Sequence, residues 1–357
     1  MNAELSQPQR GGTECTDCGT LRSNESETTL NYFYNTAPRT ALAPLCALLG
    51  IVLTSLSSGC ASLPIPHADG LAPTRAGPAG VTVYAAGDIA DCRKTTAAQS
   101  GAARTAALIE TGLNLDPAAI VLALGDLAYP AGTLAQFEDC YAPTWGRFKQ
   151  RTLPAPGNHE YYTTGAEGYF DYFGNTAGPG RRGYYTTDLA NWHVLSLDSN
   201  LKGAASDAQL AWLRADLAAL RSQGGQRCVL AFWHHPFYSS GGHGNNPHMR
   251  SVWQALSDAG ADIVLAAHDH DYERFAPQDS AGNADTRRGM RSFVVGNGGA
   301  SLTSMGPTKR NSEAQTNAVH GVLRLQLKAG NYDWAFLPAD GSPPRDSGNG
   351  TCHADAS

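Results

Sequence analysis

Six short apolar runs, each stopping at a polar or glycine-containing loop, constrain this chain more than any other feature. They lie at residues 81–86 (VTVYAA), 119–124 (AIVLAL), 193–197 (HVLSL), 228–232 (CVLAF), 263–267 (IVLAA) and 292–295 (SFVV). Short runs that are apolar at odd and even positions alike suit strands buried on both faces of a layered α/β protein. Helical patterns lie between some of them. The clearest covers residues 206–222, where Leu210, Leu213, Leu217 and Leu220 recur at helical spacing and Ser206 or Asp207 can cap the start. Strand and helix therefore alternate, until two strand-like runs, 321–327 and 332–336, follow one another across a turn at 329–331. No internal repeat is visible, and one domain over 81–340 followed by a C-terminal tail, 341–357, is the economical reading.

Composition shifts before residue 81. A polar head, residues 1–39, precedes an apolar run from Thr40 to Leu56 that is followed by Ser57-Ser58-Gly59-Cys60. A helix needs about 20 apolar residues to cross a bilayer, and this shorter run with small-residue flanks reads as an export signal over 40–60. Its ending resembles a bacterial lipobox with Ser57 where Leu is usual, which makes Cys60 a lipidation candidate; plain secretion is the alternative. The chain is thus expected to be exported, either secreted or anchored on the extracytoplasmic side, with membrane contact only through the signal or a lipid. Residues 61–80, rich in Pro, Gly and Ala, read as a linker. Beyond it, Cys92, Cys140, Cys228 and Cys352 allow two disulfides in an oxidising compartment, out of three possible pairings. Cys92 with Cys140 and Cys228 with Cys352 is the pairing we expect. With 26 Lys and Arg against 32 Asp and Glu, net charge -6, no basic field exists to hold nucleic acid or an anionic membrane. Any phosphate binding must be local, and the sequence specifies no oligomeric state.

The residues that follow the apolar runs carry the chemistry. Gly87-Asp88 follows the first and Gly125-Asp126-Leu-Ala-Tyr129 the second. Gly157-Asn158-His159-Glu160 comes next, Trp233-His234-His235-Pro236 follows the run at 228, and His268-Asp269-His270 the run at 263. In open α/β sheets the strand carboxyl ends converge on one crevice, where these carboxylates, imidazoles, an amide and a phenol would meet. Left uncompensated, ionisable groups buried there are costly, and bound cations are the usual remedy. Oxygen and imidazole donors without thiolate select hard or borderline ions such as iron, manganese or zinc. His268 and His270, two apart in a segment read as extended, would project to the same side and reach two ions of one centre.

In this order, Gly87-Asp88, Gly125-Asp126-Leu-Ala-Tyr129, Gly157-Asn158-His159-Glu160, His234 and Ala267-His268-Asp-His270-Asp-Tyr-Glu-Arg274 resemble the five metal-binding blocks of the calcineurin-like metallophosphoesterases, and among them the purple acid phosphatase branch. The resemblance implies a four-layer α/β/β/α metallophosphoesterase sandwich. It implies two metal ions: Asp88, Tyr129 and His270 on the first, Fe(III) in that branch; Asn158, His234 and His268 on the second, Fe(II), Zn(II) or Mn(II); and Asp126 bridging both. Most calcineurin-like enzymes carry a His two residues after the first Asp. Here that position is Ala90, with Tyr129 as the compensating ligand, which selects the purple branch; Ala267 stands where the family usually has Gly. Asp88, Asp126 and a Tyr129 phenolate would leave a small positive charge on a trivalent and divalent pair bridged by hydroxide, a local attraction for phosphate in an acidic chain.

The activity so implied is hydrolysis of small phosphate monoesters by attack of metal-bound hydroxide, reaching into mildly acid pH because a trivalent ion lowers the pKa of bound water. A phosphodiesterase or nucleotidase with the same metals is one alternative, and a non-enzymatic surface binding protein that keeps the fold is another. His159 follows Asn158 as in the family and is expected to contact the phosphoryl oxygens or leaving group. His243, in the glycine-containing loop 238–248, is expected as the second catalytic imidazole, with His248 behind it. His235 and Asp198 are read as orienting ligands through hydrogen bonds, and Asp91 and Asp269 as hydrogen-bonding loop residues. Tyr272-Glu273-Arg274 is read as a salt bridge pinning the ligand loop, and 296–299 as a tight turn.

Overall fold

Backbone pairing gathers the apolar runs into two sheets. The computed structural model describes residues 80–224 and 227–353; the head, the signal with Cys60, and the linker up to residue 79 lie outside the described residues. The strands are β1 (Val81–Ala86), β2 (Ile120–Leu124), β3 (Thr152–Ala155), β4 (Tyr185–Leu189), β5 (Trp192–Ser196), β6 (Cys228–Phe232), β7 (Ile263–Ala266), β8 (Tyr272–Phe275), β9 (Arg291–Val295), β10 (Ser312–Thr316), β11 (Gly321–Lys328), β12 (Asn331–Pro338) and β13 (Asp346–Thr351). One sheet has the order β13-β12-β11-β1-β2-β3 and the other β10-β8-β9-β7-β6-β5-β4. β1, β2 and β3 are parallel to one another, as are β5, β6, β7 and β9. Each sheet therefore delivers several carboxyl ends to one rim.

Successive side chains of a strand serve different layers. Leu230 and Phe232 of β6 and Ile263 and Leu265 of β7 join Leu323 and Leu325 of β11 in one core. Val229, Ala231 and Val264 face the other way, against Leu213, Leu217, Val252 and Leu256 of helices Gly203–Ser222 and Arg250–Ala259. Helix Gly101–Leu115 buries Ala102, Ala106, Ile109 and Leu113 and lies over β1, with Gly112 against the Tyr84 ring. Ser100 caps it, its Oγ accepting the Ala103 N–H at 3.1 Å. Helix, sheet, sheet and helix make the α/β/β/α sandwich. No helix among the described residues is long and apolar enough to cross a membrane.

Two local expectations are corrected. The helix read over 206–222 begins at Gly203, so Ser206 and Asp207 sit inside it, and Lys202 holds the cap position without a side-chain bond. A tertiary contact registers this helix instead: Gln209 accepts the Asp198 N–H at 2.8 Å and donates to the Asp198 carbonyl at 3.0 Å. The tail over 341–357 contains β13, which pairs with β12 from Asp346 to Thr351. Its sequence shows no apolar alternation because the partner strand supplies the apolar surface. A Cβ at Gly348 would lie 2.4 Å from the Trp334 ring, and one at Gly350 2.4 Å from the Tyr332 ring. Just beyond, Cys352 is bonded to Cys228 at the start of β6, and elsewhere Cys92 is bonded to Cys140.

A partly buried ion cluster sits away from the rim. His193 of β5 meets Asp188 of β4 (3.0 Å) and Asp216 of helix Gly203–Ser222 (2.6 Å), and Arg227 adds a 2.6 Å bridge to Asp188. Burial works to depress the imidazole, but the two carboxylates outweigh it and raise His193 above 6.5. With a raised value, its contribution to stability is complete below pH 6.5 and is lost as pH climbs through the folded value. Thermal denaturation across neutral to alkaline pH should therefore show wild type losing stability, and His193→Gln should flatten that slope. An unchanged slope in the variant would place the pH dependence elsewhere.

Candidate metal centre

Asp88 follows β1, Asp126 follows β2, Asn158 and His159 follow β3, His234 follows β6, and His268 and His270 follow β7. Asp88 (φ 56°), Asp126 (φ 51°) and His268 (φ 72°) all adopt left-handed backbone, a conformation that costs free energy and persists where surrounding contacts enforce it. Here the enforcement is visible. Each Asp uses one carboxylate oxygen to hold another loop: Asp88 Oδ2 accepts the His268 N–H at 2.8 Å, and Asp126 Oδ1 accepts the His159 N–H at 2.8 Å.

The other two oxygens face a common centre. The Tyr129 hydroxyl lies 2.9 Å from Asp88 Oδ1, 3.3 Å from Asp126 Oδ2 and 3.2 Å from His270 Nε2. On the far side, His234 Nε2 lies 3.2 Å from Asp126 Oδ2, Asn158 Oδ1 and His268 Nδ1 alike. Two donor clusters thus share Asp126 Oδ2. Donors about 2.0–2.2 Å from one ion and at right angles stand about 3 Å apart, which is the spacing observed. The tautomers agree with that use. Nδ1–H of His234 donates to the Leu124 carbonyl (2.9 Å) and that of His270 to the Ser301 carbonyl (2.6 Å), leaving both Nε2 atoms to face the centre.

The electrostatics test whether cations fit. Burial opposes every charged form, yet Asp88 is held at about 2 by His270 and its neighbouring imidazoles. Against the same burial penalty, Asp126 lifts His234 and Asp88 lifts His270, each to about 9. The rim therefore requires positive charge beside its carboxylates. Protons on these imidazoles supply it only by occupying the lone pairs that face the centre, whereas two cations would supply it and engage those lone pairs. Burial followed by Asp88 and Asp126 pushes the Tyr129 phenol well above 10, so a phenolate there needs a highly charged ion. Burial and the charge of His234 hold His268 down at about 4, in its ligating form.

The remaining candidates separate by position. His159 stands at the rim with Nε2 3.7 Å from Asp126 Oδ2 and its ring 4.3 Å from that of Tyr129; its Nδ1 donates to the Pro130 carbonyl at 2.5 Å. The His243 ring lies 4.4 Å from that of His268, over the second cluster. His235 lies equally close to His268, with Nδ1 2.8 Å from Ser199 Oγ. His248 bonds the Ser199 carbonyl at 2.8 Å and stays outside both clusters. Two expectations change. The 268–270 segment is coiled and not extended: Asp269 N–H bonds the Ala267 carbonyl and Asp271 N–H the Asp269 carbonyl, and from this coil His270 faces the first cluster and His268 the second. Arg274 pins β13 and β10 through Asp346 and Glu313, while Glu273 holds the loop at Ser240.

Glu160 is the residue the sequence reading passed over. Fully buried, its carboxylate accepts N–H groups from Gly157 (2.7 Å), Asp126 (2.9 Å), Leu127 (2.8 Å) and Ala128 (3.3 Å), bolting the loop after β2 to the loop after β3. An acid beside Asn158 and His159 at a buried strand end was the available signal. Glu160→Gln keeps the shape but turns an amide donor toward N–H donors. At about 1–3 kcal/mol for each buried donor left unpaired, denaturant unfolding should show a loss of about 2–5 kcal/mol. A loss below about 0.5 kcal/mol would mean the bolt is dispensable.

A two-sheet sandwich with oxygen and imidazole donors gathered at the rim belongs to the class of proteins that hold cations at strand ends. The family model for calcineurin-like phosphoesterases matches residues 81–272, and the chain belongs to that family. Purple acid phosphatase 21 of Arabidopsis thaliana is 31% identical over 160 residues, covering 42% of this chain and 36% of its own length. Among solved structures, the purple acid phosphatase PPD1 from yellow lupin seeds superposes with a TM-score of 0.62 at 19% identity, over 79% of this chain and 55% of that one. GAP50, the anchor in the inner membrane complex of Plasmodium, gives 0.63 at 12% identity, over 78% and 90%. At these identities the structures attest the fold alone.

Proposed function

We propose that this chain is an exported metal-dependent phosphatase of the purple acid phosphatase type, hydrolysing small phosphate monoesters. One observation carries the reading: the Tyr129 hydroxyl is seated among Asp88, Asp126 and His270. Ala90 is buried beside it without a donor side chain, its carbonyl accepting the Tyr129 N–H at 3.0 Å. Asp88, Tyr129 and His270 would hold a trivalent iron, Asn158, His234 and His268 a divalent iron, zinc or manganese, with Asp126 between them. When bound, such ions neutralise phosphoryl oxygens and activate water as the nucleophile.

The chain's own groups do the rest. His159, its ring fixed by the Pro130 carbonyl, directs Nε2 to the rim, where, as the imidazolium, it can donate to a phosphoryl oxygen. His243, as the imidazolium with one N–H held at Nδ1, is placed to give its Nε2 proton to the leaving-group oxygen as the phosphorus–oxygen bond breaks, and is left as the neutral imidazole. A nucleotidase reading is favoured by Tyr162, 64% exposed with its ring 4.7 Å from that of His159, a surface on which a flat leaving group could stack. The two disulfides support export, since they persist in oxidising compartments, and Cys60 is the proposed lipid anchor.

Metal analysis should find about two ions per chain, and an iron-loaded sample should show a visible charge-transfer band that Tyr129→Phe removes; a colourless iron-loaded wild type would defeat the tyrosinate assignment. Compared side by side, kcat/KM should favour a monoester over a diester, and a diester preference above about tenfold would overturn the substrate class. His159→Ala should lower kcat by about 10²- to 10⁴-fold at constant metal content. A halved metal content would instead make His159 a ligand.

A further inference from the structure

We propose that Asp269, placed between His268 and His270, is the positioning residue for His243, fixing its ring and tautomer over the second cluster. The inference rests on the phosphatase reading and on the role of His243 within it.

Asp269 is fully buried, and its carboxylate organises the loop that carries His243. Oδ1 accepts the His243 backbone N–H at 2.7 Å and lies 3.1 Å from the same residue's Nδ1. Oδ2 accepts the Ser239 hydroxyl at 2.5 Å and the Gly244 N–H at 3.2 Å. Every neighbour of this carboxylate is a donor, so Nδ1 of His243 carries a hydrogen and donates it. Nε2 is left as the working nitrogen, which carries the second proton when the ring is the imidazolium and gives it up as the acid. A carboxylate bonded to both the backbone and the ring of one residue fixes the ring's position as well as its tautomer.

The loop is shaped to that carboxylate. A Cβ at Gly241 would lie 2.2 Å from Asp269 Cγ, so only glycine lets the chain lie this close, and Gly244 turns it with φ 72°. The His243 side chain is half exposed, with its ring 4.4 Å from that of His268. An exposed imidazole with no buried partner would sample several rotamers; this one is tied at Nδ1 and packed at a tilt of 43° against a proposed ligand. Glu273 anchors the same loop separately, accepting the Ser240 N–H at 2.7 Å and the Ser240 hydroxyl at 2.5 Å. Loop attachment therefore does not depend on Asp269 alone, and Asp269→Asn is expected to fold.

The test compares an alkyl phosphate, whose leaving oxygen needs a proton, with nitrophenyl phosphate, whose leaving group does not. In Asp269→Asn, kcat on the alkyl ester should fall about 10- to 100-fold, while kcat on nitrophenyl phosphate changes less than about threefold. KM and metal content should hold. His243→Ala should show the same selective loss, and the double variant should lose no more than His243→Ala alone. Equal losses on both esters, losses that multiply in the double variant, or a fall in metal content would overturn the proposal and leave Asp269 a loop staple. A wild type that is active on nitrophenyl phosphate but whose alkyl hydrolysis is untouched by His243→Ala overturns the His243 role and this proposal together. A metal-replete wild type inactive on both esters overturns the phosphatase reading itself.

Discussion

The divided use of two buried carboxylates underlies the rest of the site. Asp88 and Asp126 each spend one oxygen on the backbone of a neighbouring loop and turn the other to the centre. A carboxylate used this way positions both itself and the next donor in the set: Asp88 places His268, and Asp126 places His159. It also concentrates negative charge where water is excluded, which is tolerable only with positive charge alongside. Left-handed backbone at Asp88, Asp126 and His268 follows from the same demand, because those turns bring the carboxylates and imidazole together from separate strands.

A second tier of carboxylates faces the backbone. Glu160 joins the loops after β2 and β3, Asp269 wraps the loop carrying His243, and Glu273 holds that loop from its other side at Ser240. Asp269 and Glu273 use charge-assisted hydrogen bonds to fix a loop that would otherwise be free to rearrange, and such bonds are about twice as strong as neutral ones. Part of the chain's net charge of -6 is therefore structural. Attraction for an anionic substrate in such a protein has to come from cations held at the rim.

Much of the fold was legible because central strands leave a strong mark in sequence. β2, β6 and β7 are buried on both faces, so their runs are apolar throughout and their carboxyl ends are marked by the first polar residue. Peripheral elements left weaker marks. β13 reads as a polar tail because the rings of Trp334 and Tyr332 cover its glycines. β10, Ser-Glu-Ala-Gln-Thr, is an edge strand known only by its pairing with β8. Helix Gly203–Ser222 is registered by Gln209 against Asp198, a contact between residues whose proximity no local pattern reveals.

The sequence by itself determined the order of the donor blocks, the donor types and the strands they terminate, because each is a local property of a short run. Tertiary structure alone decided how those donors are used. It coiled the segment between His268 and His270, spent one oxygen of Asp88 and one of Asp126 on a neighbouring loop, and left Nε2 of His234 and of His270 free by tying each Nδ1 to a backbone carbonyl distant in sequence. It also turned Glu160 and Asp269 from ordinary loop acids into the staples of the site. The physical reason is common to all of these: a hydrogen bond or a shared ligand is a relation between positions distant in sequence, and only packing of the two sheets sets those distances.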